Sequence, residues 1–324
     1  MQHTETEISR RLRSYAVSLI GIGALTAFLG GQVFAQGTTS AQVYEGATTN
    51  SCQRGSVPNA ARSAGFTDLA FCDDFNSMST IDVTGSGAPG FKWYTNQPFG
   101  GGQTQPSEYS VSHSVLSVAS NTYTGNWTLT TRDPKTGNGG AWNFGFFEAR
   151  VRFDPTLGPK SPGWPSFWSL SSYHTQFNNL GYWPELDFFE AYTGGFSSYS
   201  GAFVGTLHQW KAPGGNYENW QNSNNFQNTS VDWNDWHILG CLWTPGQVTW
   251  YLDGNALMTQ KYSATAPPNP SPDSIQPPPY TGVFDGTDTQ TMQLILGSGP
   301  KWPLYVDWVK VWQPDHDHGP DGGH

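Results

Sequence analysis

Between residues 71 and 313 the chain alternates short β-branched and aromatic runs with Gly, Pro, Asn and Ser. The runs predict ten strands, at 115–119, 127–132, 145–153, 166–171, 185–192, 202–210, 237–243, 248–252, 292–297 and 304–313. Several repeat with period two. In the stretch from Phe147 to Phe153, Glu148, Arg150 and Arg152 share one face, while Phe147, Ala149, Val151 and Phe153 share the other. Pro245-Gly246 separates two of these runs and Asp253-Gly254 follows the second, both hairpin signals. No segment after the first 35 residues keeps a helical period over ten residues. About ten strands without intervening helices predict an all-β fold, an antiparallel sandwich or barrel. The seven prolines of 263–280 read as an irregular loop between strands, because the runs after them still need partners.

Composition narrows the function classes. Charged residues make up only 12% of the 324, and aromatics reach 15% with 15 Trp, so the chain has ample material for a core and is not a disordered type. Its formal charge of -10 and its lack of a basic block argue against a nucleic-acid partner.

The first residues point to export. Arg10, Arg11 and Arg13 precede an apolar run from Tyr15 to Leu29 that ends near Val33-Phe34-Ala35, the layout of a signal peptide with Gln36 as the new N-terminus. An uncleaved anchor is the alternative, although the run is short for a bilayer span. Cleavage would take three of 15 basic and two of 25 acidic residues, leaving 12 against 23. The protein is then expected to be extracellular or periplasmic, without stable membrane association, and monomeric. Export permits disulfides. Cys52 and Cys72 are the plausible pair, and Cys241 in an apolar run reads as a buried thiol. The tail 314–324, rich in His, Asp and Gly, reads as a disordered end rather than a metal site.

The chemistry concentrates in Trp183-Pro184-Glu185-Leu186-Asp187-Phe188-Phe189-Glu190. On a strand Glu185 and Asp187 share a face, and Glu190 points away by parity. A bulge at Phe188-Phe189 would return Glu190 to their side. Three acids on one face cannot all ionise cheaply, so at least one pKa must rise, and Glu190 between Phe189 and Ala191 is the expected one. An ionised nucleophile beside a protonated acid is what a retaining glycosidase needs. A calcium ladder or a solvated strand face would account for the same three acids. Trp164, Trp168, Tyr182 and Trp183 favour sugar chemistry, because sugar C–H faces stack on such rings.

Taken in order, several blocks resemble glycoside hydrolase family 16. They are Phe144-Gly145-Phe146-Phe147-Glu148-Ala149-Arg150, Gly163-Trp164-Pro165-Ser166-Phe167-Trp168, the E-x-D-x-x-E of 185–190, residues 237–243, Tyr251-Leu252-Asp253-Gly254, and Val306-Asp307-Trp308-Val309-Lys310-Val311. The spacing of the acids resembles the laminarinase-like branch. The resemblance implies a jelly-roll sandwich with a concave substrate cleft. It implies Glu185 as nucleophile, Asp187 as its helper and Glu190 as acid/base. It further implies Glu148, Arg150, Trp164, Trp168, Trp183 and His208 as substrate-binding residues. Asp307 corresponds to a metal ligand, so a structural calcium is implied there, while the chemistry itself needs no cofactor. Two positions depart from the family pattern: Pro184 abuts Glu185, and Gly297 stands where many relatives carry Asn.

The expected organisation is a signal peptide over 1–35, an N-terminal extension over 36–65, the hydrolase domain over 66–313 and the tail. The expected function is endo-hydrolysis of a β-linked polysaccharide, β-1,3- or mixed-linkage glucan. The alternatives are a galactan-directed hydrolase, a transglycosylase remodelling exopolysaccharide, or a sugar-binding protein without catalysis.

Overall fold

A computed structural model describes residues 46–48, 50–98, 102–118, 127–153, 165–177, 182–192, 202–211, 218–220, 231–261, 291–298 and 303–315. Residues 1–35, where a signal peptide is expected, the proline-rich stretch, most of the tail and Trp164 lie outside them. The described strands are β1 Phe66–Asp73, β2 Ile81–Asp82, β3 Trp93–Tyr94, β4 Tyr109–Ser112, β5 Val115–Val118, β6 Trp127–Thr130, β7 Gly145–Arg152 and β8 Ser166–Ser171. They continue with β9 Tyr182–Tyr192, β10 Ala202–Lys211, β11 Glu218–Trp220, β12 His237–Thr244, β13 Gln247–Leu252, β14 Asn255–Lys261, β15 Met292–Ser298 and β16 Leu304–Pro314. Three short helices accompany them: α1 Ser51–Arg54, α2 Asn59–Ser63 and α3 Ser172–Phe177.

The strands form two sheets. Sheet A runs β14-β13-β12-β7-β16-β5-β4, with β1 also pairing β16. The length of β16 explains the branch. Its start at Leu304–Val306 pairs with β5, and its end, from Val309 onward, pairs with β1. Sheet B runs β11-β10-β9-β8-β15-β6-β3-β2. All pairings are antiparallel except the short β2–β3 contact. Inward-facing residues of both sheets make one core, in which Phe147 of β7 stacks on Phe188 of β9 with centroids 5.1 Å apart. The all-β antiparallel sandwich expected from the sequence is what forms, and the ten expected strands match β5 to β10, β12, β13, β15 and β16 to within three residues at each end.

Turn chemistry sets the hairpins. Asp253 and Gly254 both take positive φ, 51° and 79°, and close a two-residue turn between Leu252 and Asn255. Pro245-Gly246 likewise joins Thr244 to Gln247. A third hairpin is less legible in sequence. His113 and Ser114 carry positive φ between β4 and β5, where Asn-Gly would be the usual signal.

The N-terminal segment belongs to the same body. Cys52 and Cys72 form a disulfide that ties α1 to β1, and Cys241 is a buried free thiol, both as expected. Ala61 of α2 packs with Phe146, Leu242 and Trp312 on the outer face of sheet A. A strap of chain therefore covers the face of sheet A opposite to sheet B.

Candidate active site

The site is built on β9, whose register changes part-way along. On the β10 side, Asp187 pairs with Thr206 and Glu190 with Val204, so two residues of β9, Phe188 and Phe189, oppose Gly205 alone. On the β8 side, Trp168 pairs with Asp187 and Phe167 with Phe189, which leaves Phe188 as the extra residue. This is a β-bulge, and its driving force is legible in the core. Phe188 and Phe189 are 2% and 0% exposed, so both rings lie between the sheets. An unbulged strand would send one of them to the outer face. Each buried ring stabilises by about 1.5–3 kcal/mol, enough to favour the bulge.

Gly205 and Trp250 complete the arrangement from the other side. A Cβ on Gly205 would lie 2.2 Å from Trp250 Nε1. The indole therefore fits only because this residue is glycine. From sheet A, Trp250 donates its N–H to the carbonyl of Asp187 at 2.9 Å. An isolated Gly inside a strand run is a sequence signal for such an approach, but Trp250 carries no local signal for its role.

Beyond the bulge, ladder partners place Glu185, Asp187 and Glu190 on one face of sheet B. Three rows cross that face. Glu185 stands between His208 and Leu170, with Gln293 beyond Leu170. Asp187 stands between Thr206 and Trp168, followed by Ile295 and Thr130. Glu190 stands between Val204 and Ser166, followed by Gly297 and Thr128. The bulge expected at Phe188-Phe189 and its effect on Glu190 are both present.

The burial is unequal. Glu185 and Glu190 are half-buried, whereas Asp187 is 1% exposed. Burial drives the Asp187 pKa up, and a side-chain hydrogen bond with Glu190 pulls it partly back. Two carboxyls joined by a hydrogen bond hold one proton between them. Asp187 is driven up because it lies deepest in the sheet.

Residues 125–309 match the family described as glycosyl hydrolases family 16. The chain belongs to that family. Over 183 residues it is 27% identical to glucan endo-1,3-beta-glucosidase A1 of Niallia circulans, which covers 51% of this chain and 24% of that relative. The chain thus spans about a quarter of the length of the curated relative it matches. Among solved structures it is similar to the LamAcat domain of Zobellia galactanivorans, at 17% identity and TM-score 0.48, over 77% of this chain and 99% of that one. It is also similar to the laminarinase catalytic domain of Thermotoga petrophila, at 16% identity and TM-score 0.46, over 77% and 98%.

Not every residue carried over from the family pattern reaches the acidic face. Trp168 does, half-buried beside Asp187. His208 and Trp183 lie on β10 and β9, with His208 paired to Glu185, but their side chains lie outside the described residues, as Trp164 does. Glu148 and Arg150 do not reach it, contrary to expectation. They project from β7 on the outer face of sheet A, because their neighbours Phe147, Ala149 and Val151 fill the core toward sheet B. Glu148 accepts a hydrogen bond from Trp312 Nε1 at 2.9 Å, and burial raises its pKa despite that bond and the charge of Lys310.

Arg150 meets Asp307 instead. Asp307 is fully buried and forms an ion pair with the Arg150 guanidinium. It also accepts from the Thr48 amide at 2.9 Å and the Thr48 hydroxyl at 2.8 Å. Arg150 further donates to the Gly46 carbonyl at 2.8 Å and stacks 5.1 Å over Trp236. Calcium asks for six or more oxygen ligands with free lone pairs. Here the carboxylate is filled by donors, one of them cationic, and no cluster of three or more His, Cys, Asp or Glu suited to a metal occurs among the described residues. The residues present do not fit calcium at Asp307.

A surface hollow of about 400 Å³ lies elsewhere, lined by Asp232, Asp235, His237, Asp253 and their neighbours at the start of β12 and the β13–β14 turn. It is not where the three carboxylates converge.

Proposed function

We propose that the protein is an exported, retaining, endo-acting hydrolase of β-linked glucan, with β-1,3- or mixed-linkage glucan as substrate. The observation that carries this reading is the bulge of β9, which sets Glu185, Asp187 and Glu190 on one face with Asp187 buried between them. Family membership supports the glycosidase class, and the likeness to an endo-1,3-beta-glucosidase over half of the chain supports a glucan. The Cys52–Cys72 bridge and the basic-then-apolar start of the chain support export.

In this reading Glu185 attacks the anomeric carbon while Glu190 gives its proton to the departing glycosidic oxygen. The glycosidic bond breaks and an ester to Glu185 forms. Glu190, now a carboxylate, takes a proton from water, whose oxygen attacks the same carbon and releases Glu185. Two displacements at one carbon retain its configuration. Asp187 acts on the proton inventory. Its hydrogen bond with Glu190 lets the pair carry one proton at neutral pH, which keeps an acid available for the first step. Trp168, beside Asp187, offers a ring for a sugar face.

Reducing-end release from laminarin, mixed-linkage glucan, agarose and carrageenan tests the reading. Laminarin or mixed-linkage glucan should be cleaved first, with β-configured initial product by NMR. The protein is acidic, so a densely sulfated polymer would be repelled at low salt. Preferred cleavage of carrageenan at matched ionic strength would overturn the glucan assignment. Sugar binding without any cleavage would leave a lectin in its place. Glu185→Ala and Glu190→Ala should each lower turnover by about 10²–10⁴ or more. Azide should restore an α-configured product to Glu185→Ala alone. Rescue of Glu190→Ala to that α product instead would exchange their roles.

A further inference from the structure

Arg132 stands at the same face of sheet B and is unused by the mechanism. Thr130 of β6 pairs with Ile295 of β15, and the next residue continues that register, since the Thr131 amide donates to the Leu294 carbonyl at 3.0 Å. Thr131 and Leu294 are fully buried, and Leu294 belongs to the core between the sheets, so that side of the ladder faces inward. Arg132, one residue on, falls on the other side, in line with Gln293 and the row that leads through Leu170 to Glu185. Helix α3 leans over this end of the face. Thr175 reaches Gln293 Oε1, and Arg132 Nη2 donates to Gln176 Oε1, both at 3.4 Å.

Two features set Arg132 apart from a structural arginine. It pairs with no carboxylate among the described residues, and burial alone pulls its pKa down, with no anion acting to raise it. Its Nε is buried without a partner, as is the Nε2 of Gln293, which is 0% exposed in the adjoining ladder position. Arg150, by contrast, has its carboxylate in Asp307. A half-buried guanidinium whose Nη2 reaches only a neutral amide, and whose Nε has no partner, is short of acceptors among the described residues.

The geometry points to Arg132 as a substrate-binding residue that grips a sugar away from the cleavage point through paired hydrogen bonds to its oxygens. Three strand spacings of 4.7–4.9 Å put it ~14 Å from Glu185 across the sheet. That is too far to serve the sugar bonded to the nucleophile. Paired oxygen acceptors on a planar fork are what guanidinium geometry suits, and a neutral glycan supplies them as neighbouring hydroxyls. The inference rests on the glycosidase reading above and adds a subsite and its residue.

Oligosaccharides of increasing length, prepared from whichever panel polymer the protein cleaves, provide the test. Arg132→Ala should lower kcat/KM roughly ten- to a hundredfold on the longer members, chiefly through KM, as for a lost hydrogen bond to a charged group. The shortest cleavable member should be unaffected, so the gain with length should flatten. Arg132→Lys should recover little, because an ammonium cannot make the paired contact. A loss equal at all lengths, or none at any, would overturn the inference while leaving the hydrolase standing. A loss confined to acid-bearing glycans would overturn it as well. Absence of cleavage on every polymer would remove both readings. If Arg132→Ala does not fold, the same length profile is read on Arg132→Lys and Arg132→Gln.

Discussion

Trp250 donates its indole N–H across the sandwich to the carbonyl of Asp187, the residue at which β9 begins to bulge. A fully buried donor from sheet A thus meets a main-chain group of β9 in sheet B. Trp250→Phe keeps most of the ring but leaves that carbonyl without its donor, at a cost of about 1–3 kcal/mol. Gly205→Ala drives a methyl into the same indole and should cost a similar ~1–3 kcal/mol. Both variants should lower the unfolding midpoint, and both should lower kcat more than KM because the bulge sets where Glu190 stands. Unchanged kcat with lowered stability would separate the contact from catalysis.

Asp187 gives a pH signature. Its folded pKa lies above the ordinary 3.8 because of burial. An acid with a raised folded pKa holds its proton in the native state after the unfolded chain has lost it. Stability is therefore drained as pH rises from about 4 toward the folded pKa. Asp187→Asn removes that titration. Its unfolding free energy should gain on the wild type as pH rises from 4 to 7, while its activity falls. Denaturant melts at several pH values measure the first effect, and the Asp187 role fails if the two proteins show parallel curves.

The pair of Arg150 and Asp307 ties the N-terminal strap to sheet A through Thr48. Arg150→Ala leaves a fully buried carboxylate without its cation, a loss of roughly 3–5 kcal/mol. The unfolding midpoint of the wild type should not move on adding a chelator or millimolar calcium. A midpoint raised by calcium would restore a metal to Asp307.

His237 and Asp253 form a smaller switch beside the β13–β14 turn. The His237 Nδ1 lies 2.8 Å from Asp253 Oδ2, and Nε2 lies 3.0 Å from the Asp232 carbonyl. The hydrogen bond to Asp253 raises the His237 pKa above 6.5 against the opposing effect of burial. A raised histidine contributes stability fully below its unfolded pKa and loses it as pH climbs through the folded value. The carboxylate is 45% exposed, so the effect is at most about 1 kcal/mol. His237→Gln should flatten the stability curve above pH 6.5, which thermal melts from pH 6 to 9 will show.

The sequence by itself determined the fold class and the position of the acids. Period-two runs need no tertiary information, since alternate residues of a strand face opposite sides. The turns at Pro245-Gly246 and Asp253-Gly254 were equally legible, because few residues tolerate positive φ. The bulge could be anticipated from two adjacent phenylalanines that both need burial. Which sheet receives each strand was decided only by the tertiary structure. Glu148 and Arg150 share a polar face in the sequence, and that pattern is the same whether the face lines a binding surface or lies beneath a strap. Pairing of β7 with β12 and β16 chose the strap side. The raised carboxyl was likewise undetermined by local sequence. Desolvation depends on depth, and depth belongs to the packed sheet: Asp187 is buried there, whereas Glu185 and Glu190 keep part of their surface in water.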